Sequence, residues 1–264
     1  MDENIDDILD EENRLKNYHG PDECILSVDL LHIFNEREKQ APSVALKSGI
    51  PKLDFLLHRF SGGELVTISG PTKMGKTLFA QTLTRNFLRD GHGSLWFTYE
   101  VPPHQFLKQF GEEPPLFVMP KQLTSHMLTW LKERIWEAIL KFGVKAVFID
   151  NTHNLLNISV QNLSNQVGEL LKFLKAMAIE FDIVIFLLHH LVKGKLDSGE
   201  EIGSHLLRDS SMVAQTSDTV MFIWREKDTV NRSTVKITEN RAFGVMNQYV
   251  DLIKIGNFLE EAML

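Results

Sequence analysis

From about residue 44 onward, the chain alternates continuous apolar runs of six or seven residues with longer segments whose apolar residues recur at helical spacing. Continuous apolar runs are typical of parallel strands that are covered on both faces, and the longer segments indicate amphipathic helices. We therefore predict an α/β fold with a mainly parallel sheet covered by helices on both faces. The predicted strands are 64–69, 94–99, 144–149 and 182–188, and the predicted helices are 78–88, 125–142 and 162–181.

The C-terminal part of the chain follows a different pattern. Its apolar runs, at 217–224, 233–238 and 248–255, are separated only by short polar segments. Short polar connections are typical of β-hairpins. We therefore predict C-terminal antiparallel hairpin strands that extend one edge of the sheet.

The N-terminal part, residues 1–43, stands apart from this alternation. Residues 1 to about 20 are polar and acidic, so we expect them to be mobile or loosely helical. Residues 21–40 place apolar residues along one face, which predicts a short amphipathic linker helix that covers its own domain or docks on a neighbour. We predict two parts, an acidic N-terminal segment with a linker helix over 1–43 and one main domain over 44–264.

Composition and charge narrow the function classes. The chain has 264 residues, 43% of them hydrophobic, and a formal net charge of -7, which argues against a broad basic surface for duplex nucleic acid but permits a local basic path. The single cysteine, Cys24, excludes an internal disulfide bond. Because the chain has no long apolar run and begins with acidic residues where a secretory signal would be basic, we expect a cytoplasmic protein without a membrane partner.

The stretch "SGPTKMGKT" lies between the first predicted strand and the following helix, and it fits the pattern Gly, four residues, Gly-Lys-Ser/Thr. The two glycines allow the backbone to turn its N–H groups toward phosphates. Lys76 supplies a charge to the β- and γ-phosphates, and the Thr77 hydroxyl can ligate Mg²⁺. An ordinary glycine-proline turn is the alternative. We predict that ATP and Mg²⁺ bind here, through Gly70, Pro71, Thr72, Lys73, Met74, Gly75, Lys76 and Thr77.

Three other predicted strands end in polar side chains, at the edge where open α/β sheets bind ligands. Asp150 suits a carboxylate that helps Thr77 hold Mg²⁺, and a loop-capping aspartate is the alternative. Glu100 can polarise an attacking water as a general base, whereas a solvated glutamate would have no such role. Either His189 or His190 can hydrogen-bond a γ-phosphate, and two satisfied polar histidines are the alternative.

Six blocks in this order resemble the motor domain of the RecA-fold, DnaB-type ring helicases, from about Ser48 to Phe258. The resemblance implies that 44–264 is a RecA-like P-loop NTPase motor domain. It further implies a homo-oligomer, a hexameric ring, that acts on single-stranded DNA with ATP bound at the subunit interfaces. The blocks are "SGPTKMGKTLFAQ", "SLWFTYE", "VKAVFIDNTHNLL", "LLKFLKAMAIEFDIVIFLLHHL", "LLRDSSMVAQTSDTVMFIWRE" and "KITENRAFG".

The resemblance also implies roles for single residues. Glu100 matches the family's catalytic base, Asp150 the family's aspartate at the corresponding strand end, and Arg225 a position associated with the nucleotide base. His190 stands at the γ-phosphate sensor, where bacterial members usually have glutamine and the phage primase-helicases and Twinkle-like helicases have histidine, so the sequence leans to that branch. Arg241 matches the arginine finger contributed to the neighbour's ATP. The predicted catalytic residues are thus Glu100, Lys76, His190 and Arg241.

Arg241 can also be interpreted from its position. An arginine at a hairpin tip on the sheet edge cannot easily reach its own phosphate-binding loop but can reach across a ring interface, where an arginine finger accelerates hydrolysis greatly. A solvated turn arginine is the alternative. The family commonly has a basic residue two places earlier, where this chain has Glu239, and we expect this difference to weaken charge neutralisation at the transition state.

In ring helicases the loops that contact DNA in the channel follow the strands that end at Asp150 and His190. The corresponding stretches are about 154–164 and about 192–206. The first is polar and can donate hydrogen bonds to phosphates, while the second combines two lysines with an acidic "DSGEE" run that suits phosphate binding poorly. We predict channel contacts there, with solvated loops as the alternative.

Two function hypotheses follow. The first is an ATP-driven DNA helicase or translocase that acts on single-stranded DNA as a ring. The second is a RecA-like ATPase switch that binds a protein partner, through the N-terminal segment, and does not unwind DNA. The acidic charge favours the switch, whereas a full hydrolytic set of Glu100, Asp150, His190 and Arg241 favours the motor.

Overall fold

The computed structural model describes residues 5–20, 22–40, 43–112, 114–124, 128–151, 155, 163–190, 211–225 and 231–262. The chain divides into two compact units, Met1–Ser43 and Val44–Leu264. In the first unit, helix α1 spans Ile5–Lys16 and helix α2 spans Ser27–Gln40, at the position where the sequence predicts an amphipathic helix. The apolar side chains at and beside α2 are exposed, including Leu26 (70% exposed) and Phe34 (52%). Cys24 is exposed as well.

The second unit is an α/β domain, as predicted, and it is built on an eight-stranded sheet. The strands are β1 (Ala45–Leu46), β2 (Phe60–Ser61), β3 (Leu65–Gly70), β4 (Gly93–Thr98), β5 (Val144–Asp150), β6 (Val184–His190), β7 (Thr219–Trp224), β8 (Arg232–Asn240), β9 (Gln248–Ile255) and β10 (Phe258–Glu261). The strand order in the sheet is β10-β9-β8-β7-β3-β6-β5-β4, and a separate two-stranded sheet pairs β1 with β2. The five strands from β7 to β4 are parallel, and β8, β9 and β10 add antiparallel strands at one side.

Helices cover both faces of this sheet, because the parallel strands are apolar on both sides. The helices are α3 (Pro51–Leu57), α4 (Lys76–Arg89), α5 (Pro103–Gln109), α6 (Leu128–Phe142), α7 (Leu163–Phe181) and α8 (Ser211–Thr216). Buried side chains of α3, α4 and α5 join one apolar cluster, and those of α6 and α7, with Val213 of α8, join a second. Neighbouring residues of a parallel strand can belong to different clusters, as in β5, where Phe148 lies in the first cluster and Ile149 in the second.

A group of stacked aromatic rings fills the first cluster beneath α4. The ring of Phe148 stacks on Trp96 and on Phe186, with centroids 4.7 Å apart in both pairs. The indole N–H of Trp96 donates to the Thr84 hydroxyl on α4 at 2.9 Å, and that hydroxyl donates to the Ala80 carbonyl at 3.0 Å. Helix α4 is therefore fixed to the sheet by a buried hydrogen bond as well as by apolar packing.

The C-terminal strands differ from the prediction in one respect. β7 forms an antiparallel pair with β8, as the hairpin prediction requires, but its other edge pairs in parallel with β3. β7 is thus a central strand of the sheet, and the antiparallel extension begins at β8. The reason lies in its composition, because the run "VMFI" is buried throughout, as a strand flanked on both edges and both faces must be.

The edge of the sheet at β4 is partly covered by the chain itself. Val118 forms a parallel bridge with Leu95, its carbonyl accepts a hydrogen bond from Trp96 N at 2.9 Å, and its N–H donates to Ser94 O at 2.8 Å. This contact limits the unpaired backbone groups that an edge strand exposes. Among the helices that the structure describes, none has both the length and the apolar character that crossing a bilayer requires.

We predict that Thr84→Val destabilises the domain by about 1 to 3 kcal/mol, because the Trp96 indole N–H would remain buried without an acceptor. Chemical denaturation followed by tryptophan fluorescence and circular dichroism measures the change. Trp96→Phe provides the matched background, since it removes the donor. Thr84→Val should cost less there, and an equal cost in both backgrounds would show that the hydrogen bond contributes nothing.

Candidate nucleotide site

The phosphate-binding loop connects the end of β3 to the start of α4. Gly70 adopts a φ of +148°, and a Cβ at this position would collide with the carbonyl oxygen of Ile223 in β7. Gly75, with a φ of +104°, is the residue before α4 and allows the chain to enter the helix from a left-handed turn. The loop therefore leads directly to the N-terminus of a 14-residue helix, where free N–H groups favour an anion.

Lys76 lies at the start of α4 and is buried. Its ammonium group donates to the carbonyls of Gly70 and Pro71, each at 2.8 Å. Burial lowers the pKa of Lys76 to about 8, against the opposing effect of the Asp150 and Glu100 carboxylates. A bound phosphate would favour the charged form, so the loop and the lysine together form an electrostatic site for a polyphosphate.

Thr77 and Asp150 form the expected pair beside the loop. The Thr77 hydroxyl donates to Oδ2 of Asp150 at 2.8 Å, while Oδ1 of the buried Asp150 accepts no hydrogen bond from the part of the chain that the structure describes. Burial raises the pKa of Asp150, and the nearby Glu100 carboxylate adds to the increase, whereas the Thr77 hydrogen bond lowers it. A hydroxyl and a carboxylate with a spare oxygen suit Mg²⁺, which binds hard oxygen ligands and would favour the ionised carboxylate.

Glu100 and His190 face each other across the same site. His190 is the last residue of β6, and its Nε2 lies 3.4 Å from Oε2 of Glu100, which follows β4. His189 is buried, and its backbone carbonyl accepts a hydrogen bond from the Ser69 hydroxyl at 3.2 Å. Of the two histidines that the sequence offers, His190 is therefore the one that lines the cleft. Both Glu100 and His190 line the cleft beside the phosphate-binding loop.

The cleft has a volume of about 480 Å³ and includes Arg225, whose guanidinium lies beside the loop, 3.7 Å from the position of a Cβ on Gly75. Several lining residues were not predicted from the sequence. Gln81 could have been found, because it lies one helical turn after Thr77. Leu78 follows Thr77 directly in α4. The remaining four come from α5, β9 and the turn after β9, and no local pattern indicates them: they are Lys108, Gln109, Lys254 and Asn257.

Arg241 lies far from this cleft. Asn240, at the end of β8, pairs with Thr219 at the start of β7, whereas the phosphate-binding loop follows the opposite end of the parallel neighbour β3. At about 3.3 Å per residue, the six residues of β3 separate the two ends by about 20 Å. The Arg241 guanidinium donates to the carbonyl of Gln215 in α8. The structure thus brings together every predicted site residue except Arg241.

The predicted channel stretches lie mostly outside the described residues. Of the first, about 154–164, the structure describes only Leu155 and the start of α7, and the second, about 192–206, is outside altogether. Their contact with nucleic acid stays a prediction.

The sequence of this chain is similar to those of known proteins. The family model described as the DnaB-like helicase C-terminal domain matches residues 111–250. The replicative DNA helicase DnaB of Pasteurella multocida is 21% identical over 274 residues, which cover 84% of this chain and 58% of that protein. The protein of the same name from Rickettsia prowazekii is 24% identical over 251 residues, 76% of this chain and 50% of that protein. The chain spans about half the length of these relatives.

Solved structures show the same fold. One of them, described as an ATPase domain, superposes with a TM-score of 0.75 at 19% identity, over 92% of this chain and 100% of that one. A DnaB-like replicative helicase, solved in a study of its interactions with primase, gives a TM-score of 0.73 at 19% identity, over 98% of this chain and 71% of that one. The predicted RecA-like architecture is confirmed.

We predict that Lys76→Ala weakens the binding of a nucleoside triphosphate roughly 10- to 100-fold, because a charge-assisted contact to the phosphates is lost. Titration with a fluorescent ATP analogue and Mg²⁺ measures the affinity. Arg89→Ala is the matched control, since Arg89 is an exposed basic residue at the opposite end of the same helix. Equal losses in the two variants would contradict a specific role for Lys76.

Proposed function

The chain belongs to the DnaB-like helicase C-terminal domain family, and we propose on this basis that it is an ATP-hydrolysing DNA helicase or translocase motor. It acts on single-stranded DNA in the cytoplasm, as a homo-oligomeric ring, hexameric by analogy with the family, with ATP at the subunit interfaces. The observation that carries the proposal is that the residues predicted to take part in hydrolysis lie at two opposite ends of the sheet. A nearly complete site lies at one end of the sheet, and the last member, Arg241, lies about 20 Å away at the other end.

The residues of the cleft fit the steps of phosphoryl transfer to water. The loop and Lys76 hold the β- and γ-phosphates, and Glu100 accepts the proton of the attacking water. His190, in contact with Glu100, is placed to hydrogen-bond the γ-phosphate and to report its presence to the base. Thr77 and Asp150 would hold Mg²⁺, which would supply positive charge beside the phosphate oxygens.

The position of Arg241 supports the proposal that the subunits form a ring. Arg241 lies at the opposite end of the strands and not at the predicted edge of the sheet, because β8 pairs with both β7 and β9. An arginine there cannot stabilise hydrolysis in its own subunit, since a side chain spans only a fraction of about 20 Å. The Arg241 of a second copy can do so if subunits meet with this end of one against the cleft of the next. Repetition of this head-to-tail contact closes a ring when the rotation between subunits permits.

The names of the relatives support DNA as a partner, and an exposed apolar surface supports a protein partner. The relatives carry the name replicative DNA helicase, and one solved neighbour is described with a primase. The net charge of -7 argues against a broad basic surface, so we propose that contact with DNA is confined to loops inside the ring. The exposed apolar side chains of α2 suit a protein surface as their partner.

The first test is the steady-state rate of ATP hydrolysis, with and without single-stranded DNA, across protein concentrations and at two salt levels. A motor ring should hydrolyse ATP faster with DNA and at higher concentration, and DNA stimulation should fall with salt. An unwinding assay on a forked duplex then follows. Turnover that is indifferent to DNA would overturn the motor and favour the ATPase switch.

We predict that Arg241→Ala lowers turnover roughly a thousandfold or more while ATP affinity stays near that of the unaltered protein, because the finger acts only on the neighbour's transition state. Neither this variant nor Lys76→Ala should hydrolyse ATP alone. A mixture of the two should regain turnover, since a Lys76→Ala subunit can supply Arg241 to the intact cleft of an Arg241→Ala subunit.

Arg232→Ala is the matched control for the finger. Arg232 is also an exposed arginine of the β8 region, but it lies at the other end of the strand. Its removal should leave turnover within a few fold. Full turnover in Arg241→Ala, or no recovery in the mixture, would exclude action across a subunit interface.

A further inference from the structure

The turn that carries Arg241 is held by the residue before it. Asn240 is a buried polar side chain at the end of β8. Its amide Nδ2 donates to the Thr219 hydroxyl in β7 at 2.9 Å, and its Oδ1 accepts a hydrogen bond from the backbone N–H of Phe243 at 2.8 Å. One side chain therefore ties the first residues of the turn to the central sheet and closes the turn on itself.

A second contact fixes the backbone of Arg241. Its N–H donates to the carbonyl of Asp218 at 2.9 Å. The Asp218 carboxylate in turn accepts hydrogen bonds from Leu65 N at 2.8 Å and from the Lys175 ammonium at 2.7 Å. Asp218, whose carbonyl accepts the hydrogen bond from Arg241, is therefore itself bonded to β3 and α7, two elements of the domain core.

The register of the strands adds to this arrangement. The pairing of β8 with β7 shifts by one residue between Val220 and Met221, so that Thr238 is an extra residue in β8. A bulge changes the direction in which the following side chains point. Here it precedes Asn240 by two residues, and Asn240 is directed into the buried space beside Thr219 while Arg241 is exposed.

We propose that Asn240 is a positioning residue for Arg241, one that fixes the start of the finger so that its guanidinium reaches the neighbour's γ-phosphate in a defined geometry. This inference rests on the proposed function of Arg241 across a subunit interface. Beyond its backbone, Arg241 makes a single hydrogen bond, from the guanidinium to the Gln215 carbonyl, among the contacts that the structure describes. The side chain can therefore exchange that carbonyl for a phosphate while the backbone stays in place.

The cost of losing such a support can be estimated. A displacement of about 1 Å at a catalytic group lowers a rate by roughly a hundredfold. Asn240→Ala removes both hydrogen bonds of the side chain and should lower turnover in the ring roughly 10- to 100-fold, with ATP affinity unchanged. Asn240→Asp keeps the Oδ1 acceptor but loses the Nδ2 donor, so its turnover should fall between that of Asn240→Ala and that of the unaltered protein.

The decisive experiment measures the donor and the acceptor role of a subunit separately, by mixing variants as above. Arg241→Ala subunits provide the intact cleft, and Lys76→Ala subunits provide the finger. We expect the double variant Lys76→Ala/Asn240→Ala to restore turnover roughly tenfold less well than Lys76→Ala, or worse. Asn240→Ala/Arg241→Ala subunits should accept a finger as well as Arg241→Ala subunits do, because their clefts are unchanged.

Thr234→Ala is the matched control, since it removes the side-chain hydrogen bond to Asp251, 2.8 Å long, from the other end of β8. In the Lys76→Ala background it should leave finger donation intact. Thr219→Val breaks the Asn240 contact from the opposite side and should reproduce the donor defect.

The outcomes separate the two proposals. Restoration by Lys76→Ala together with equal restoration by Lys76→Ala/Asn240→Ala overturns the positioning role and leaves the finger in place. Equal damage to donor and acceptor roles would mean that Asn240 is merely structural, which also overturns it. If Lys76→Ala restores nothing to Arg241→Ala, the finger itself is wrong and the positioning role falls with it.

Discussion

The register of the parallel strands is the constraint on which the site depends. Gly70 of β3 pairs with His190 of β6, and Thr98 of β4 pairs with Asp150 of β5. Because side chains alternate between the faces of a strand, a slip of one residue would turn Asp150 away from Thr77 and His190 away from Glu100. The apolar residues that precede these polar ends oppose the slip, because each of them would move from the apolar cluster on one face of the sheet to the cluster on the other face. The packing of the core therefore fixes the positions of the catalytic groups.

Much of this arrangement could be predicted from the sequence, because its signals are local. The long strands and helices have continuous or periodic apolar patterns, and the phosphate-binding loop has a fixed spacing between its glycines and Lys76. Asp150, Glu100 and His190 follow from one rule, that ligands bind at the carboxyl ends of parallel strands. Their meeting in one cleft could thus be expected before the structure was known.

The remainder depends on spatial order, which no local pattern encodes. β7 is separated from β8 by a short segment, and this separation indicates a hairpin but says nothing about its other neighbour, β3. Lys254 and Asn257 line the cleft only because the antiparallel strands extend the sheet and return toward α4 and α5. The shortest elements, such as α8 and the β1–β2 pair, contain too few residues to show a period. Asn240 resembles any turn asparagine until its two partners are seen.

The contacts of Lys76 govern how a ligand enters. The ammonium group already donates to two carbonyls of its own loop. These carbonyls therefore compete with a phosphate for the hydrogen bonds of Lys76. Arrival of a ligand is then an exchange of hydrogen bonds, and the buried charge has a partner throughout. The same contacts tie the start of α4 to the loop before any ligand arrives, so the phosphate-binding loop is pre-organised. The site therefore selects ligands that interact with the lysine more strongly than two neutral carbonyls do, and polyanions are the class that meets this condition.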